Sequence, residues 1–289
     1  MIPPAPSHPE RIAFLGTPAM SVGPLRALVE AGFQVALVVT RADARRGRGT
    51  ATSPSPVKQA ALDLGLPVTH DVDDVLAADV DLGVVVAFGR IIKPHVLAEV
   101  PMVNLHFSLL PRWRGAAPVE RAILAGDDVT GVDLMVVEEG LDTGAIYDRT
   151  VVPIGPDETA AALRERLVEV GTDLLVRSLV DGLGEPSPQT GEMTYAEKIA
   201  PEDLRIDWGD PPVSAHRKVR VGGAWTMHDG KRIKIWRTSL DPDGGGIVSS
   251  AGDATIEVIE LQPEGRPRMP ARAWANGVGW TEGDRFRDA

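Results

Sequence analysis

An α/β fold with an open, doubly wound parallel sheet, followed by a smaller β-barrel domain, is the architecture that the sequence predicts. In the first part of the chain, short apolar runs alternate with stretches of helical periodicity, as in sheets whose strands are joined by helices. After Leu204 the pattern changes to short strands separated by Asp-Gly and Gly-rich turns. The length of 289 residues also exceeds that of one average domain. Two domains are therefore expected.

The first domain, residues 1–182, is expected to contain buried parallel strands, because its apolar runs end at Gly or at polar residues. These runs are RIAFLG at 11–16, FQVALVVT at 33–40, DLGVVVAFG at 81–89 and MVNLH at 102–106. Helices are predicted over 19–31, 55–65 and 157–181.

The last of these helices is the most regular one. Its apolar residues recur at helical spacing, at Leu163, Leu167, Val170 and Leu174. The pattern predicts a helix that begins after a capping Asp157 and stops at Gly182, where it closes the first domain.

The segment 183–204, GLGEPSPQTGEMTYAEKIAPED, is interpreted as an extended linker, because proline and glycine interrupt every periodic run. The second domain, 205–289, follows it. Its strand candidates are RIKIWRT, GIVSS and TIEVIEL, which predict a small β-barrel.

Composition excludes several classes of protein. Cysteine is absent, which rules out disulfides, thiolate metal sites and a cysteine nucleophile. The N-terminal MIPPAPSHPE lacks the features of a signal peptide, and no window approaches the roughly 18 apolar residues of a membrane span. A cytoplasmic protein without a membrane partner is expected. The net charge of −11 is uneven, with 17 Lys+Arg against 29 Asp+Glu up to residue 204 and 13 against 12 afterwards.

Two polar residues at the end of the fourth strand are candidates for a site. Residues two apart in a strand share a face, so Asn104 and His106 project together while Val103 and Leu105 face the other side. Open α/β sheets bind ligands at the carboxyl ends of their parallel strands. A turn-capping Asn and a structural core histidine are the alternative interpretation. The pair is predicted to face a cleft, with Arg112 and Arg114 at its rim.

A carboxylate candidate follows in VEEGLDTGAI, where Asp142 lies between Gly140 and Gly144 in a tight loop. The alternative is an ordinary Asp in a surface turn. Asn, His and Asp without a Ser or Cys nucleophile favour direct attack by a substrate on a carbonyl group. Asn and His would hold the developing oxyanion, and Asp would handle a proton.

These motifs resemble those of the folate-dependent formyltransferases. That family's Asn-x-His, Ser-Leu-Leu-Pro, Arg-Gly and Leu-Asp-x-Gly are matched by Asn104 and His106, 108–111, 114–115 and 141–144. FLGTPAMSVGPLRAL, SPSPVKQAALDLGLPV, VVAFGRIIKP and ELQPEGRPRMPARAW resemble further segments of the members that formylate methionyl initiator tRNA. The resemblance covers nearly the whole chain, and the order of the motifs makes it specific.

The resemblance implies a Rossmann-like catalytic domain, a C-terminal OB-like β-barrel and 10-formyltetrahydrofolate as the formyl donor. It implies that Asn104 and His106 hold the oxyanion and that Asp142 orients His106 and helps to carry a proton. The pterin of the folate is expected near 87–92 and the Asp142 loop. The expected folate-binding residues are Phe88, Gly89, Ile91, Ser108, Leu109, Leu110, Pro111 and Asp142.

The implied acceptor is the α-amine of methionyl initiator tRNA, which needs cationic residues for its phosphates. One expected set lies in an arginine-rich loop, for which an ordinary solvated surface loop is the alternative interpretation. The second set is expected along the C-terminal strands, where the alternative is that the cations protect a sheet edge from pairing. The two sets are Arg41, Arg45, Arg46 and Arg48, and Arg217, Lys218, Arg220, Lys231, Arg232, Lys234 and Arg237. No metal is expected, because the six histidines are scattered. A monomer is expected.

Two other functions remain open at this point. A formyltransferase for a sugar amine or a purine precursor would keep the same site but would not need the C-terminal barrel. A nucleotide-binding oxidoreductase on the same sheet is disfavoured, because GTPAMSVG lacks the Gly-x-Gly-x-x-Gly pattern.

Overall fold

The computed structural model describes residues 2–45, 52–281 and 283–286, except for the side chains of residues 44 and 45. The chain divides into two compact units. The first consists of Met1–Pro118, Val129–Pro153 and Arg164–Glu197, and the second of Val119–Asp128, Ile154–Leu163 and Lys198–Ala289. The predicted linker 183–204 is thus shared between the units, since it contributes to the first up to Glu197 and to the second from Lys198.

Sixteen strands occur in the described residues. They are β1 Arg11–Gly16, β2 Gln34–Val39, β3 Ala44–Arg45, β4 Thr52–Ser53, β5 Val68–Thr69, β6 Leu82–Val86, β7 Met102–His106, β8 Arg114–Gly115, β9 Val129–Val136, β10 Ile146–Pro153, β11 Tyr195–Ala196, β12 Trp225–His228, β13 Lys231–Ser239, β14 Ile247–Ala251, β15 Ala254–Pro263 and β16 Met269–Pro270.

Seven α-helices are present in the same part of the chain. They are α1 Val22–Glu30, α2 Pro56–Asp63, α3 Pro94–Leu97, α4 Pro118–Ala125, α5 Ala160–Asp181, α6 Pro212–Val221 and α7 Ala271–Val278. Short 3-10 helices occupy Ala19–Ser21, Asp73–Ala77 and Pro201–Leu204.

The first unit is built on a seven-stranded sheet of order β10-β9-β7-β6-β1-β2-β5. The five strands from β7 to β5 are parallel, and β9 and β10 add two antiparallel strands beside β7. The order reverses direction at β1, as in a doubly wound sheet. The predicted α/β sheet is therefore confirmed, and β7 lies inside it between β6 and β9.

Apolar strand residues form the core of this unit. Every residue of β6 is buried, which explains why its sequence shows no alternation of polar and apolar residues. Helix α2 is capped by Ser55, whose side chain accepts a hydrogen bond from the Lys58 N–H at 3.0 Å. The cap of α5 differs from the prediction. Thr159 Oγ1 accepts the Ala162 N–H at 3.2 Å, so Thr159 takes the capping position that was predicted for Asp157.

The second unit contains an antiparallel sheet of order β12-β13-β15-β14, with β16 paired to β15. In the described part of the chain, β12 and β14 are edge strands that do not pair with each other. Ile233, Ile235, Ile256 and Leu261 are buried in its core, together with Trp274 of α7. The sequence predicted the strands of this unit but not α6 or α7.

Candidate active site

Asn104 lies in the interior of the sheet, in β7, where it is in register with Val85 of β6 and Met135 of β9. Its side chain is half-buried. Within the described residues, the Asn104 amide has no hydrogen-bond partner. A half-buried amide in this position retains its full capacity to bind a polar group of a ligand.

His106, the last residue of β7, is buried with 7% of its side chain exposed. Its Nε2 lies 3.0 Å from the carbonyl oxygen of Trp113. Its Nδ1 lies 3.7 Å from Oδ2 of Asp142. A carbonyl can only accept, so we assign a proton to Nε2 in this geometry. Both ring nitrogens face an oxygen, and a proton on either nitrogen therefore has an acceptor nearby.

Asp142 lies in the loop between β9 and β10. Its backbone has a φ of 51°, in the left-handed region that residues with side chains rarely adopt. Its Oδ2 accepts the Gly115 N–H at 2.8 Å, and its side chain is 16% exposed. A Cβ atom at Gly144 would lie 2.0 Å from the Val136 carbonyl oxygen, so the close packing of this loop requires glycine there. The predicted proximity of His106 and Asp142 is therefore present in the structure.

The segment 111–117 is held in place by residues 194–196. The Trp113 N–H donates to Thr194 Oγ1 at 2.9 Å, and the Arg114 N–H donates to the Thr194 carbonyl at 2.9 Å. Strands β8 and β11 are parallel neighbours. Trp113 has a φ of 64°, and this conformation directs its carbonyl to His106. Residues 194–196 therefore help to shape the site.

The expected pterin loop follows β6. Ala87 and Gly89 have φ values of 46° and 68°. Phe88 is buried, whereas Ile91 is 88% exposed. Thr17 Oγ1 donates to the Phe88 carbonyl at 3.3 Å, and the Arg41 guanidinium donates to the Gly89 carbonyl at 2.6 Å. Two hydrogen bonds from outside the loop thus fix its backbone.

The Ser108–Pro111 segment is anchored by an ion pair. The Leu110 N–H donates to Asp133 Oδ2 at 2.8 Å, and Arg149 donates to the Leu110 carbonyl at 2.7 Å. Arg149 also donates to both Asp133 oxygens, at 2.7 and 2.6 Å. Hydrogen bonding to Asp133 raises the pKa of Arg149, and burial raises the pKa of the Asp133 carboxyl against the effect of Arg149. Ser108 Oγ donates to the Arg112 carbonyl at 2.7 Å, and the Leu110–Pro111 peptide is cis.

The arginine-rich loop is only partly described. Arg41 contacts the Gly89 carbonyl as above, and Arg45 belongs to β3 by its backbone. Arg46 and Arg48 lie outside the described residues.

Three C-terminal cations are placed differently from the prediction. Arg217, Lys218 and Arg220 lie on helix α6 and not on strands. Lys218 Nζ donates to the Arg205 carbonyl at 2.8 Å, and Arg220 donates to the carbonyls of Glu158 and Gly155 at 2.9 and 2.7 Å. Both side chains thus donate to backbone carbonyls, and Lys218 Nζ also lies 4.0 Å from Oδ2 of Asp210.

Lys231, Arg232 and Lys234 lie on β13 as predicted. Arg232 and Lys234 lie on the opposite face of the strand from the buried Ile233 and Ile235. The Arg232 guanidinium lies 3.9 Å from the centroid of the Trp225 ring. Lys234 Nζ lies 6.0 Å from the Trp236 ring. Neither tryptophan was assigned from the sequence, although the position of Trp236 between Lys234 and Arg237 on β13 is a signal for such stacking.

No group of three or more His, Asp or Glu residues that could hold a metal ion occurs among the described residues. In the same ranges, no helix has the length and apolar character that a membrane crossing requires.

Comparisons with known proteins find similarity over nearly the whole chain. A family model described as formyl transferase matches residues 10–179, and one described as formyl transferase, C-terminal domain, matches 198–279. The methionyl-tRNA formyltransferase of Arthrobacter sp. (strain FB24) is 41% identical over 305 residues, which cover 96% of this chain and 99% of the relative. That of Symbiobacterium thermophilum is 42% identical over 309 residues, covering 96% and 95%. The structure of methionyl-tRNA formyltransferase from Clostridium thermocellum has a TM-score of 0.60 at 15% identity, covering 88% and 97%, and shows a similar fold.

Proposed function

The chain belongs to the methionyl-tRNA formyltransferase family, and from that premise we propose which of its residues carry out the reaction. The protein is an enzyme that transfers the formyl group of 10-formyltetrahydrofolate to the α-amine of methionyl initiator tRNA, for translation initiation. The observation that carries the assignment of the site is the distance of 3.7 Å between His106 Nδ1 and Asp142 Oδ2, with Asn104 two residues before His106 on β7.

Asn104 is proposed to bind the formyl oxygen. Its half-buried amide has no partner within the described residues, so it can donate to an oxygen that gains negative charge during attack. A donor already aligned in a partly desolvated site is worth more than the same donor in water, because no reorganisation is needed. This unpaired amide also provides a hydrogen-bond donor for the formyl oxygen of a bound folate.

His106 and Asp142 are proposed to take up the proton that the amine loses and to carry it to the folate nitrogen, which departs as its bond to the formyl carbon breaks. Nδ1 of His106 faces the Asp142 carboxylate, and the Trp113 carbonyl fixes the ring from the other side. The ring can therefore hold a proton on either nitrogen next to an acceptor. The folate, when bound, supplies the formyl group. A turn of the ring away from Trp113 would give the formyl oxygen a second N–H donor.

The folate is proposed to contact the backbone of the two loops that the structure fixes. One is the loop after β6, and the other is the segment after β7 that the Asp133–Arg149 pair anchors. The proposed residues are Phe88, Gly89, Ile91, Ser108, Leu109, Leu110, Pro111 and Asp142.

The division of labour between the domains is also proposed. Residues 1–182 are assigned the chemistry, 183–204 the connection, and 205–289 the binding of tRNA through an OB-like barrel. An OB-fold is a five-stranded and partly open barrel, which agrees with the five antiparallel strands and the two edges of the second sheet. We infer further that the enzyme is a cytoplasmic monomer, which light scattering of the purified protein tests for the oligomeric state.

Phosphate contacts are proposed for the loop that carries Arg41, Arg45, Arg46 and Arg48 and for the cations of β13. On β13, Lys231 and Lys234 are exposed, and in the described part of the chain neither forms an ion pair. Arg217, Lys218 and Arg220 of α6 are the weaker candidates, because Lys218 and Arg220 already donate to carbonyls.

The test is formyl transfer from 10-formyltetrahydrofolate to methionyl initiator tRNA, with methionyl elongator tRNA and an amino sugar nucleotide as competing acceptors. Formylation of the initiator tRNA alone is expected. Equal formylation of both tRNAs, or formylation of the sugar, would overturn the proposed acceptor.

A further inference from the structure

The side chain of Gln189 connects two loops of the proposed site. Its Nε2 donates to the carbonyl oxygens of Asp142 and Gly144, at 2.8 Å each. Its Oε1 accepts from Nε and Nη2 of Arg114, at 3.1 and 2.5 Å. A glutamine amide has two N–H donors and an oxygen with two lone pairs. All of this capacity is used within the site.

The chain on either side of Gln189 is held against the same unit. Ser187 and Ile146 exchange backbone hydrogen bonds of 2.8 and 2.9 Å. Further along, Ala196 accepts the N–H groups of Ala116 and Ala117 at 2.8 and 3.1 Å. Gln189 is thus held between two backbone contacts of its own segment, in addition to the hydrogen bonds of its side chain.

These contacts close a ring around Asp142. Gln189 binds the Asp142 carbonyl and the Arg114 guanidinium. The residue after Arg114 is Gly115, whose N–H donates to the Asp142 carboxylate at 2.8 Å. The ring therefore fixes both the backbone and the side chain of Asp142. A non-glycine residue at a φ of 51° needs such support, because the conformation is unfavourable by itself.

We propose that Gln189 is a positioning residue for formyl transfer, which holds the Asp142 carboxylate at its place beside the His106 ring. This inference rests on the proposed role of Asp142. Loss of the two donated hydrogen bonds frees the Asp142 loop, and the carboxylate no longer has a fixed distance to Nδ1. Displacements of about 1 Å reduce turnover by up to about 10²-fold in enzymes.

Two variants separate the contacts of Gln189. Gln189→Glu keeps the length of the side chain and an acceptor for Arg114, but it replaces the donor by an oxygen that faces two carbonyl oxygens. Gln189→Met keeps a similar length and removes all four hydrogen bonds. The matched control is Gln59→Glu, since Gln59 is a surface glutamine of α2 whose Nε2 donates to Asp63 at 2.9 Å.

The experiment is a double-mutant cycle with Asp142→Asn, read as kcat for formylation of methionyl initiator tRNA, together with calorimetric binding of a folate analogue. Each Gln189 variant alone is expected to lower kcat by about 10–100-fold. The control should keep its activity and its affinity for the folate analogue within about twofold of wild type. Any loss of folate affinity in the Gln189 variants should be smaller than their loss in kcat, which is measured with folate saturating. In the Asp142→Asn background, the Gln189 variants should cause no further loss, because the group that they position is already disabled.

Three outcomes contradict the inference or its premise in distinguishable ways. Wild-type turnover of Asp142→Asn overturns the proposed role of Asp142 itself. Wild-type turnover of both Gln189 variants overturns the positioning role. Losses that multiply in the double variants show that Gln189 acts independently of Asp142, and this also overturns it. If Gln189→Glu does not fold, Gln189→Met completes the same cycle.

Discussion

Arg149 and Lys234 are both cations on strands, yet the two units of the molecule hold them in opposite ways. Arg149 in the first unit binds both oxygens of Asp133 and the Leu110 carbonyl, and Asp133 is completely buried. Lys234 in the second unit is exposed, and its Nζ lies 6.0 Å from the centroid of the Trp236 ring. The Asp133–Arg149 pair near the chemistry is thus fixed in geometry, whereas Lys234, which is proposed to contact tRNA phosphates, is held by no ion pair within the described residues.

Physical chemistry accounts for this difference. Oxyanion stabilisation and proton transfer need donors at hydrogen-bond distance, so the groups around β7 must be held by their neighbours. Attraction to phosphates extends over a Debye length of about 10 Å at 0.1 M salt and tolerates moving side chains. Substitutions in the first unit should therefore affect rate and stability, and those on β13 should affect binding.

The largest effect is expected at the donors. Asn104→Ala and His106→Ala should each lower kcat by about 10²–10³-fold with little change in folate affinity, because the interaction strengthens only as charge develops. Steady-state formylation and calorimetry measure the two quantities. Asn276→Ala and His95→Ala, at exposed positions, are the controls. Near wild-type turnover of the Asn104 or the His106 variant would show that its assignment is wrong.

The next effect concerns stability. Arg149→Met leaves Asp133 buried without its cation and should lower the free energy of unfolding by about 3 kcal/mol, the lower end for buried pairs because Arg149 is 38% exposed. Urea unfolding checks this. The control is Arg177→Met, which removes an exposed ion pair with Asp148 and should cost less than about 1 kcal/mol. Equal losses would mean that burial of Asp133 does not matter.

A smaller effect on binding is expected from the triple change of Lys231, Arg232 and Lys234 to alanine. Each lost phosphate contact reduces the slope of log affinity against log salt by roughly 0.7–0.9, so the slope should fall by about 2–3. Titration of tRNA at several salt concentrations measures it, with folate affinity as the internal control. An unchanged slope would remove β13 from the tRNA interface.

The smallest effect is a pH dependence of stability in the second unit. Burial lowers the pKa of His216, and Asp157 opposes this shift. The folded chain therefore stays neutral at His216 at a pH at which the unfolded chain, with a histidine pKa of about 6.5, already binds a proton. Stability is expected to be complete above pH 6.5 and to decrease as the pH falls towards the folded pKa.

Thermal unfolding between pH 7.5 and 5.5 checks this dependence. His216→Gln should lose part of the acid-induced fall in Tm, by a few degrees at most, since one pKa unit corresponds to about 1.4 kcal/mol. The exposed Asn276→Ala, which removes no titratable group, should leave the pH dependence as it is in wild type. An identical pH profile of His216→Gln and wild type would contradict the prediction.

Local sequence patterns predicted much of the first unit. The bounds of β1 and β7 agree with RIAFLG and MVNLH, because buried parallel strands are short apolar runs with clear ends. Strand alternation placed Asn104 and His106 together, and the glycines around Asp142 indicated a tight loop. Whether these groups act as assigned stays a prediction.

The features that the sequence did not reveal depend on contacts between distant residues. Gln189 lies in a segment rich in Pro and Gly, and nothing local indicates that its amide meets residues 45 and 47 positions away. The Asp133–Arg149 pair is similarly hidden, because its two members lie 16 positions apart on different strands. Helix α6 had local signals, with Pro212 at its start and Gly222 after its end, but its many cations concealed the apolar spacing of Ala215 and Val219.

The wild-type enzyme can show directly whether the rate of the chemical step is independent of the charges that bind tRNA. The measurement is formyl transfer to methionyl initiator tRNA as a function of salt concentration. At low tRNA concentration, kcat/KM should fall steeply with salt, because each phosphate contact adds roughly 0.7–0.9 to the slope. The single-turnover rate with both substrates saturating should stay constant within about twofold, because the groups around β7 are fixed by short hydrogen bonds that salt screens little. A saturating rate that falls with the same slope as kcat/KM would contradict the account.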